Sequence, residues 1–250
     1  MRKLDGTTAV VTCGSSGMSL ASTKLFAQEG AHVYVFGSNA VEVAAAQEQI
    51  GTGCTGVHGD ITSAVDPDAL YARIDRERGQ LDVVFANAAV IRVRAFPEVT
   101  AYHYDREFDV NVRGTFFTVQ KALPLLPDGA SVILTSSIAN FGGTAGFSVY
   151  GATKAAVRSF ARSWSSDLRN RRIRVNRLSP GPMVTPMVAK KGRSIEQAQA
   201  FRAKALDEIP LGRYTASPTR PAKTAPSFPA STCASTAAWA KSKSSHQETA

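Results

Sequence analysis

Short apolar runs alternate with longer helical stretches up to about residue 212, and this alternation constrains the fold more than any other feature of the sequence. The runs at 7–12 (TTAVVT), 32–36 (HVYVF), 81–86 (LDVVFA), 130–135 (ASVILT) and 173–178 (IRVNRL) read as strands, with a weaker one at 54–58. Most are rich in Val and Ile and nearly continuous, the pattern of parallel strands covered on both faces. Helices are expected at 19–28, stopping at Glu29-Gly30, and at 39–50, between an Asn39 cap and Gly51. Three more are expected at 67–78 behind an Asp66-Pro67 cap, at 102–126 and at 147–169. The predicted fold is α/β, a doubly wound parallel sheet in three layers with right-handed crossovers. Ligands of such sheets lie beyond the carboxyl ends of the strands. The chemistry is therefore sought just after each strand.

A chain of 250 residues, 44% hydrophobic, suits one domain better than two. Its catalytic domain is expected to span 1–213. No stretch has the length and apolarity of a membrane span, and residues 1–6 lack the apolar run of a signal peptide, so the expected compartment is the cytoplasm. Cys13, Cys54 and Cys233 make an odd, widely spaced set, which argues against a disulfide framework. No Cys/His cluster has metal-ligand spacing, and no metal is expected. Of the net charge of +9, residues 213–250 supply +4, from five cations and one acid. The remaining cations form no basic helix or aromatic-interleaved pattern, so specific nucleic-acid binding is a poor reading.

After the first strand comes Thr12-Cys13-Gly14-Ser15-Ser16-Gly17-Met18-Ser19, then a helix. Such a turn lets backbone N–H groups approach a pyrophosphate at a helix N-terminus. The Ser15 and Ser16 hydroxyls are further donors. A plain Gly/Ser turn is the alternative. The second strand ends in Phe36-Gly37-Ser38-Asn39, with no acid before Glu42 to hold the ribose of NAD and no Arg to hold the extra phosphate of NADP. Ser38 and Asn39 offer hydrogen bonds to a phosphate, so the reading leans to NADP, with NAD open. Further on, Tyr150 and Lys154 stand four apart at the start of a helix, on one face. An ammonium beside a phenol favours the phenolate. Ser136-Ser137 follows a strand directly, at the sheet edge where a substrate would lie.

With these segments in order, residues 5–213 resemble the short-chain dehydrogenase/reductase family, in its single-domain branch. The turn 12–19 is similar to the family's glycine turn, with Thr12, Gly14, Ser15, Ser16, Gly17 and Met18 at the cofactor. Gly59-Asp60-Ile61 resembles the segment that holds adenine, and Asn87-Ala88-Ala89 follows the fourth strand. Asn111-Val112-Arg113-Gly114 carries the family's helix asparagine. Ser137, Tyr150 and Lys154 keep the family's order and interval. The stretch 179–185, with Pro180, Gly181 and Thr185, resembles the loop that contacts the nicotinamide and pyrophosphate. The resemblance implies an NAD(P)-dependent oxidoreductase that interconverts a carbonyl and a secondary alcohol by hydride transfer. Tyr150 would be the acid/base and Lys154 would lower its pKa and contact the nicotinamide ribose. Ser137 would bind the substrate oxygen, and Asn111 would hold a water linked to Lys154. A non-catalytic NAD(P)-binding protein of the same fold is the alternative.

Four departures stand out. Cys13 and Ser19 replace the first and third glycines of the turn, and Ala89 stands where the family prefers glycine. Ala86 replaces a frequent asparagine. Cys13 reads as a small buried residue, or alternatively as an oxidation-sensitive thiol. From Tyr214 on, Ser, Thr, Ala, Pro and Lys dominate and apolar periodicity disappears. The expectation for 214–250 is an atypical, disordered tail in place of the family's last helix and strand. One permitted set of codons for 215–221, read two bases later, encodes Gly-Glu-Pro-Asp-Glu-Ala, an acidic helix start. A shifted reading frame is therefore one explanation of the tail, and a divergent tail is the other. A missing last strand leaves an open sheet edge and puts the family's usual homo-oligomer in question. The substrate is a small carbonyl or alcohol of unread identity. Its pocket is expected between 90–96, 138–147 and a flap at 187–207. Phe96, Phe141 and Phe147 there are apolar candidates, and Arg92 and Arg94 either meet an acidic group or are solvated loop cations.

Overall fold

The computed structural model describes residues 2–181. The chain divides into two units, Met1–Leu178 and Ser179–Ala250. The first holds every element given below. The described part of the second is 179–181, without helix or strand. The expected flap at 187–207, Thr185 and the tail from Tyr214 lie outside the described residues.

Six parallel strands form one sheet in the order β3-β2-β1-β4-β5-β6. They are β1 (Thr8–Thr12), β2 (His32–Gly37), β3 (Cys54–His58), β4 (Val83–Ala86), β5 (Ser131–Thr135) and β6 (Arg174–Leu178). The order reverses between β1 and β4, which opens a crevice at their carboxyl ends. The helices are α1 (Gly17–Gln28), α2 (Ala40–Ile50), α3 (Asp66–Arg78), α4 (Ala101–Phe108), α5 (Thr115–Ala122) and α6 (Ser148–Asp167).

Alternate residues of each strand point to opposite faces, and both faces are apolar. Val10, Tyr34, Phe36, Val84, Val132 and Leu134 pack with Leu70 and Ile74 of α3, Val119 of α5 and Val157 of α6. Ala9, Val11, Val33 and Phe85 pack on the other face with Phe26 and Ala27 of α1, while Val35 packs with Val43 of α2. Among the described residues no helix is long and apolar enough to cross a membrane.

Two expectations at helix termini and interiors need correction. Asp66 is not the cap of α3 but its first residue. The Ser63 hydroxyl accepts from Asp66 N, and the Asp66 carboxylate accepts from Asp60 N and Ser63 Oγ. The single helix expected at 102–126 is broken. Between α4 and α5 the backbone takes a π-helical turn, Asp109–Gly114, and a short 3₁₀ turn, Leu123–Leu125, follows α5.

Candidate active site

The first turn of the site follows β1. Cys13 holds a left-handed backbone, φ 53°, and Gly17 another, φ 57°, as α1 begins. The left-handed position is where the family's first glycine would stand, and glycine alone takes it without steric cost. The Cys13 side chain packs against the core. Burial pushes its thiol up to about 11, so it is a protonated, poorly reactive group, and the oxidation-sensitive reading loses its physical basis. Ser19 is buried, and its hydroxyl donates to Cys13 O (2.6 Å) and Ser16 O (2.9 Å). Ser19 is thus turned into the protein, while Cys13 is half-buried and faces the backbone of Ala89 after β4. A Cβ added at Gly14 would stand 3.0 Å from Thr23 Oγ1 and 3.1 Å from Val11 O, so a larger residue fits only if these neighbours give way. The Ser16 side chain makes no capping bond, and the first turn of α1 holds no acid. Ser15, Ser16, Gly17 and Met18 are partly accessible there. The arrangement fits a pyrophosphate at a helix N-terminus.

Thr12 ties this turn to the segment after β4: its Oγ1 accepts from Asn87 N (2.9 Å) and Ala88 N (3.0 Å). Asn87 Oδ1 accepts from Thr135 Oγ1 at the end of β5 (2.9 Å). The ends of β1, β4 and β5 are therefore one bonded layer. At the end of β2, Ser38 and Asn39 are exposed, and Asn39 Oδ1 accepts from Glu42 N, which caps α2. Asp60 Oδ1 accepts from Thr62 N and Thr62 Oγ1, each at 2.8 Å. Ile61 packs so closely on Gly114 that a Cβ there would come within 2.6 Å of it. That contact gives the last glycine of Asn111-Val112-Arg113-Gly114 its reason.

The reacting groups meet at the start of α6. The Ser137 hydroxyl is hydrogen-bonded to the Tyr150 phenol, which lies on the same helix face as Lys154. The Lys154 ammonium is 5.7 Å from the centre of the Tyr150 ring. Lys154 is 1% exposed, and its Nζ donates to Thr135 O (2.8 Å). Ser136, the neighbour of Ser137, donates from Oγ to Lys154 O (2.8 Å), which fixes β5 against α6. Burial dominates both ionisations. It pushes the Tyr150 phenol up to about 12, against the bond from Ser137, and Glu107 adds to the rise. It takes Lys154 down to about 8, with Glu107 opposing. Desolvation is the largest cause at both groups.

Asn111 is fully buried in the π-helical turn. Its Nδ2 donates to Val90 O (2.8 Å) and Thr153 Oγ1 (3.1 Å), and its Oδ1 accepts from Val90 N (2.8 Å). The side chain is a clamp between the loop after β4 and α6. Sequence reasoning missed Glu107. It is 0% exposed and accepts from Arg92 N, so α4 grips the same loop a second time. A charged residue on a helix reads as a surface group, and only the buried face of α4 shows otherwise. Pro180 and Gly181 are described but belong to the second unit. A cleft of about 520 Å³ is lined by Phe96, Phe141 and Phe147 with the small residues 142–146. Gly151, next to Tyr150, and Ala139, two residues past Ser137, also line it, while Tyr150 and Ser137 themselves do not. Phe141 is also covered by the guanidinium groups of Arg158 (5.2 Å) and Arg177 (5.0 Å).

A doubly wound sheet with a glycine turn at its switch point, and Ser, Tyr and Lys beside it, defines the class of nicotinamide-dependent Rossmann-type oxidoreductases. Within that class the chain belongs to the short chain dehydrogenase family, whose model matches residues 7–196. It is 42% identical over 203 residues to an oxidoreductase of Sarocladium schorii, covering 80% of this chain and 81% of that one. It is 30% identical to a 3-oxoacyl-[acyl-carrier-protein] reductase of Thermotoga maritima, covering 85% and 86% of the two chains. Among solved structures, a 3-ketoacyl-(acyl-carrier-protein) reductase of Brucella melitensis complexed with NADH matches with a TM-score of 0.78 at 25% identity, over 86% of this chain and 88% of that one.

Proposed function

We propose that the protein reduces a small-molecule carbonyl to a secondary alcohol with NADPH, using Tyr150 as the proton donor. The observation that carries this reading is the convergence of Ser137, Tyr150 and Lys154 at the carboxyl edge of the sheet. The nicotinamide supplies hydride. Ser137 and Tyr150 hold the substrate oxygen with two hydroxyls. Tyr150 Oη gives up its proton as negative charge grows on that oxygen, and a phenol that burial keeps protonated suits this direction. Lys154 stands behind the phenol and stabilises the phenolate that results. Asn111 holds the loop after β4 in place; with its side chain committed, its backbone carbonyl is the group that would hold a water linked to Lys154.

The phosphate choice rests on the end of β2, where Ser38 and the Asn39 amide offer donors and no acid stands before Glu42. NAD is the alternative. Fluorescence titration with NADPH and NADH decides it: tighter NADH binding would overturn the preference. Turnover is tested by NADPH absorbance loss with a panel of ketones. Tyr150→Phe is expected to cut kcat about 10²–10⁴-fold while cofactor binding persists. A second reading, a protein that binds cofactor without turning over, is favoured by one observation, the two lost glycines at Cys13 and Ser19. Binding with no turnover on a wide panel, in wild type as in Tyr150→Phe, would establish it.

A further inference from the structure

Among the described residues, Lys154 and Glu107 are the only lysine, arginine, aspartate or glutamate side chains that are buried. A buried ion is costly unless an opposite charge compensates it. The Lys154 ammonium has one hydrogen bond, to Thr135 O (2.8 Å), and enters no ion pair among the described residues. The helices that carry the two groups, α4 and α6, pack on each other. Bonds join them as well. Asn111, four residues beyond Glu107, donates from Nδ2 to Thr153 Oγ1 (3.1 Å). Thr153 directly precedes Lys154, and its hydroxyl donates to Tyr150 O (2.8 Å). The Glu107 carboxylate is itself held in place. It accepts from Arg92 N, and its Oε1 stands 3.4 Å from Nε2 of the buried His103.

We infer, on the reductase reading above, that Glu107 is a positioning residue: its carboxylate, locked inside by Arg92 N and His103, is the counter-charge of the buried Lys154 ammonium. Attraction between charges that water does not reach is weakly screened and extends past hydrogen-bond contact. Glu107 acts with one sign on both reacting groups, keeping Lys154 charged and Tyr150 protonated. The phenol then keeps its proton until negative charge grows on the substrate oxygen, and a charged Lys154 faces the phenolate that forms. The other ionisable groups nearby are poor candidates for this part. The strand β5 carries none, and the π-helical turn brings only Asp109 and Arg113, both exposed. Arg92 and Arg94 after β4 are exposed, and Arg158 and Arg177 lie over Phe141.

The test is an NMR pH titration of Lys154 in the full chain, isotope-labelled at lysine Cε and without cofactor. Loss of one resonance in Lys154→Met identifies the signal. A midpoint near 8 is expected in wild type. Glu107→Gln keeps the size and an acceptor for Arg92 N while removing the charge, and the midpoint should fall by at least about half a pH unit. Glu107→Asp restores the charge and should recover most of that fall. A midpoint unmoved or raised in Glu107→Gln would overturn the inference. One arm needs no variant and so survives a Glu107→Gln that does not fold. Added salt should not lower the wild-type midpoint, because both charges are buried. A midpoint that falls with salt would put the counter-charge at the surface and overturn the inference as well. In turnover, the basic limb of kcat/KM for ketone reduction should move to lower pH in Glu107→Gln. A loss of rate equal at every pH would mark a merely structural role and sink the positioning one. The titration needs no turnover. An unmoved midpoint in an active enzyme leaves the reductase reading standing, and a chain inactive on every ketone defeats that reading while the titration still decides the counter-charge.

Discussion

Cys13 shows how one backbone angle constrains a residue choice. Its φ of 53° costs an ordinary L-residue about 1–2 kcal/mol and a β-branched one more. Cys13→Val is therefore expected to lose about 2 kcal/mol of stability by denaturant unfolding. Cys13→Gly should match or exceed wild type; a Gly variant as weak as the Val variant would mean that thiol packing, not strain, governs the position. Lys154 makes a pH prediction of definite sign. Its ordinary value is 10.5, and burial takes it down to about 8. Below pH 8 the folded protein carries the whole cost of a buried ammonium, about 3 kcal/mol. From pH 8 to 10.5 the unfolded chain keeps a proton the folded one has released, so this cost fades as pH rises. Lys154→Met should thus be more stable than wild type at pH 7, relative to the same comparison at pH 10.5. Tyr150 has the opposite sign: raised from 10.0 to about 12, it contributes stability below pH 10 that is lost as pH climbs from 10 to 12. A difference between Lys154→Met and wild type that stays flat from pH 7 to 10.5 would contradict the burial of the ammonium.

At the scale of elements, the apolar runs located every described strand within two residues of its place; in β1, β2 and β4 burial on both faces leaves a continuous signal, while the edge strands β3 and β6 are largely half-buried or exposed. The break inside 102–126 was not legible. A shift from i→i+4 to i→i+5 bonding changes backbone register without changing which residues are apolar, so the pattern runs through it. The partners of the site residues were hidden for a related reason. Thr135 O holding Lys154, and Val90 N and O holding Asn111, are backbone groups that carry no residue identity. The motif residues themselves were legible, since side-chain chemistry at the strand ends is what a sequence displays. The π-helical turn places Asn111 to clamp both polar groups of Val90. Asn111→Leu should leave them buried and unbonded, at about 3 kcal/mol. The loss should appear in urea unfolding and as faster amide exchange at 90–92. Exchange unchanged there would show that Glu107 alone fixes the loop.

At the scale of the molecule, the residues proposed for the cofactor within the first unit follow β1, β2, β3 and β4 or start α6, so binding should draw stability from much of the sheet. A ligand at one hundred times its Kd stabilises by about 2.7 kcal/mol, which for a chain of this size raises Tm by about 5–10 °C. NADPH is expected to give that rise and NADH a smaller one. The tail supplies a control. The last residue that resembles a cofactor contact is Thr185, while 214–250 contribute +3 of the +9 net charge, from four cations and one acid, and no family motif. Deleting 214–250 should leave the NADPH-induced rise in Tm unchanged. It should also remove any salt-sensitive shift with DNA, because that attraction would be the nonspecific pull of a basic segment. A rise lost on truncation would place cofactor contacts in the tail. The tail would then be part of the site, and a shifted reading frame would be a poor account of it.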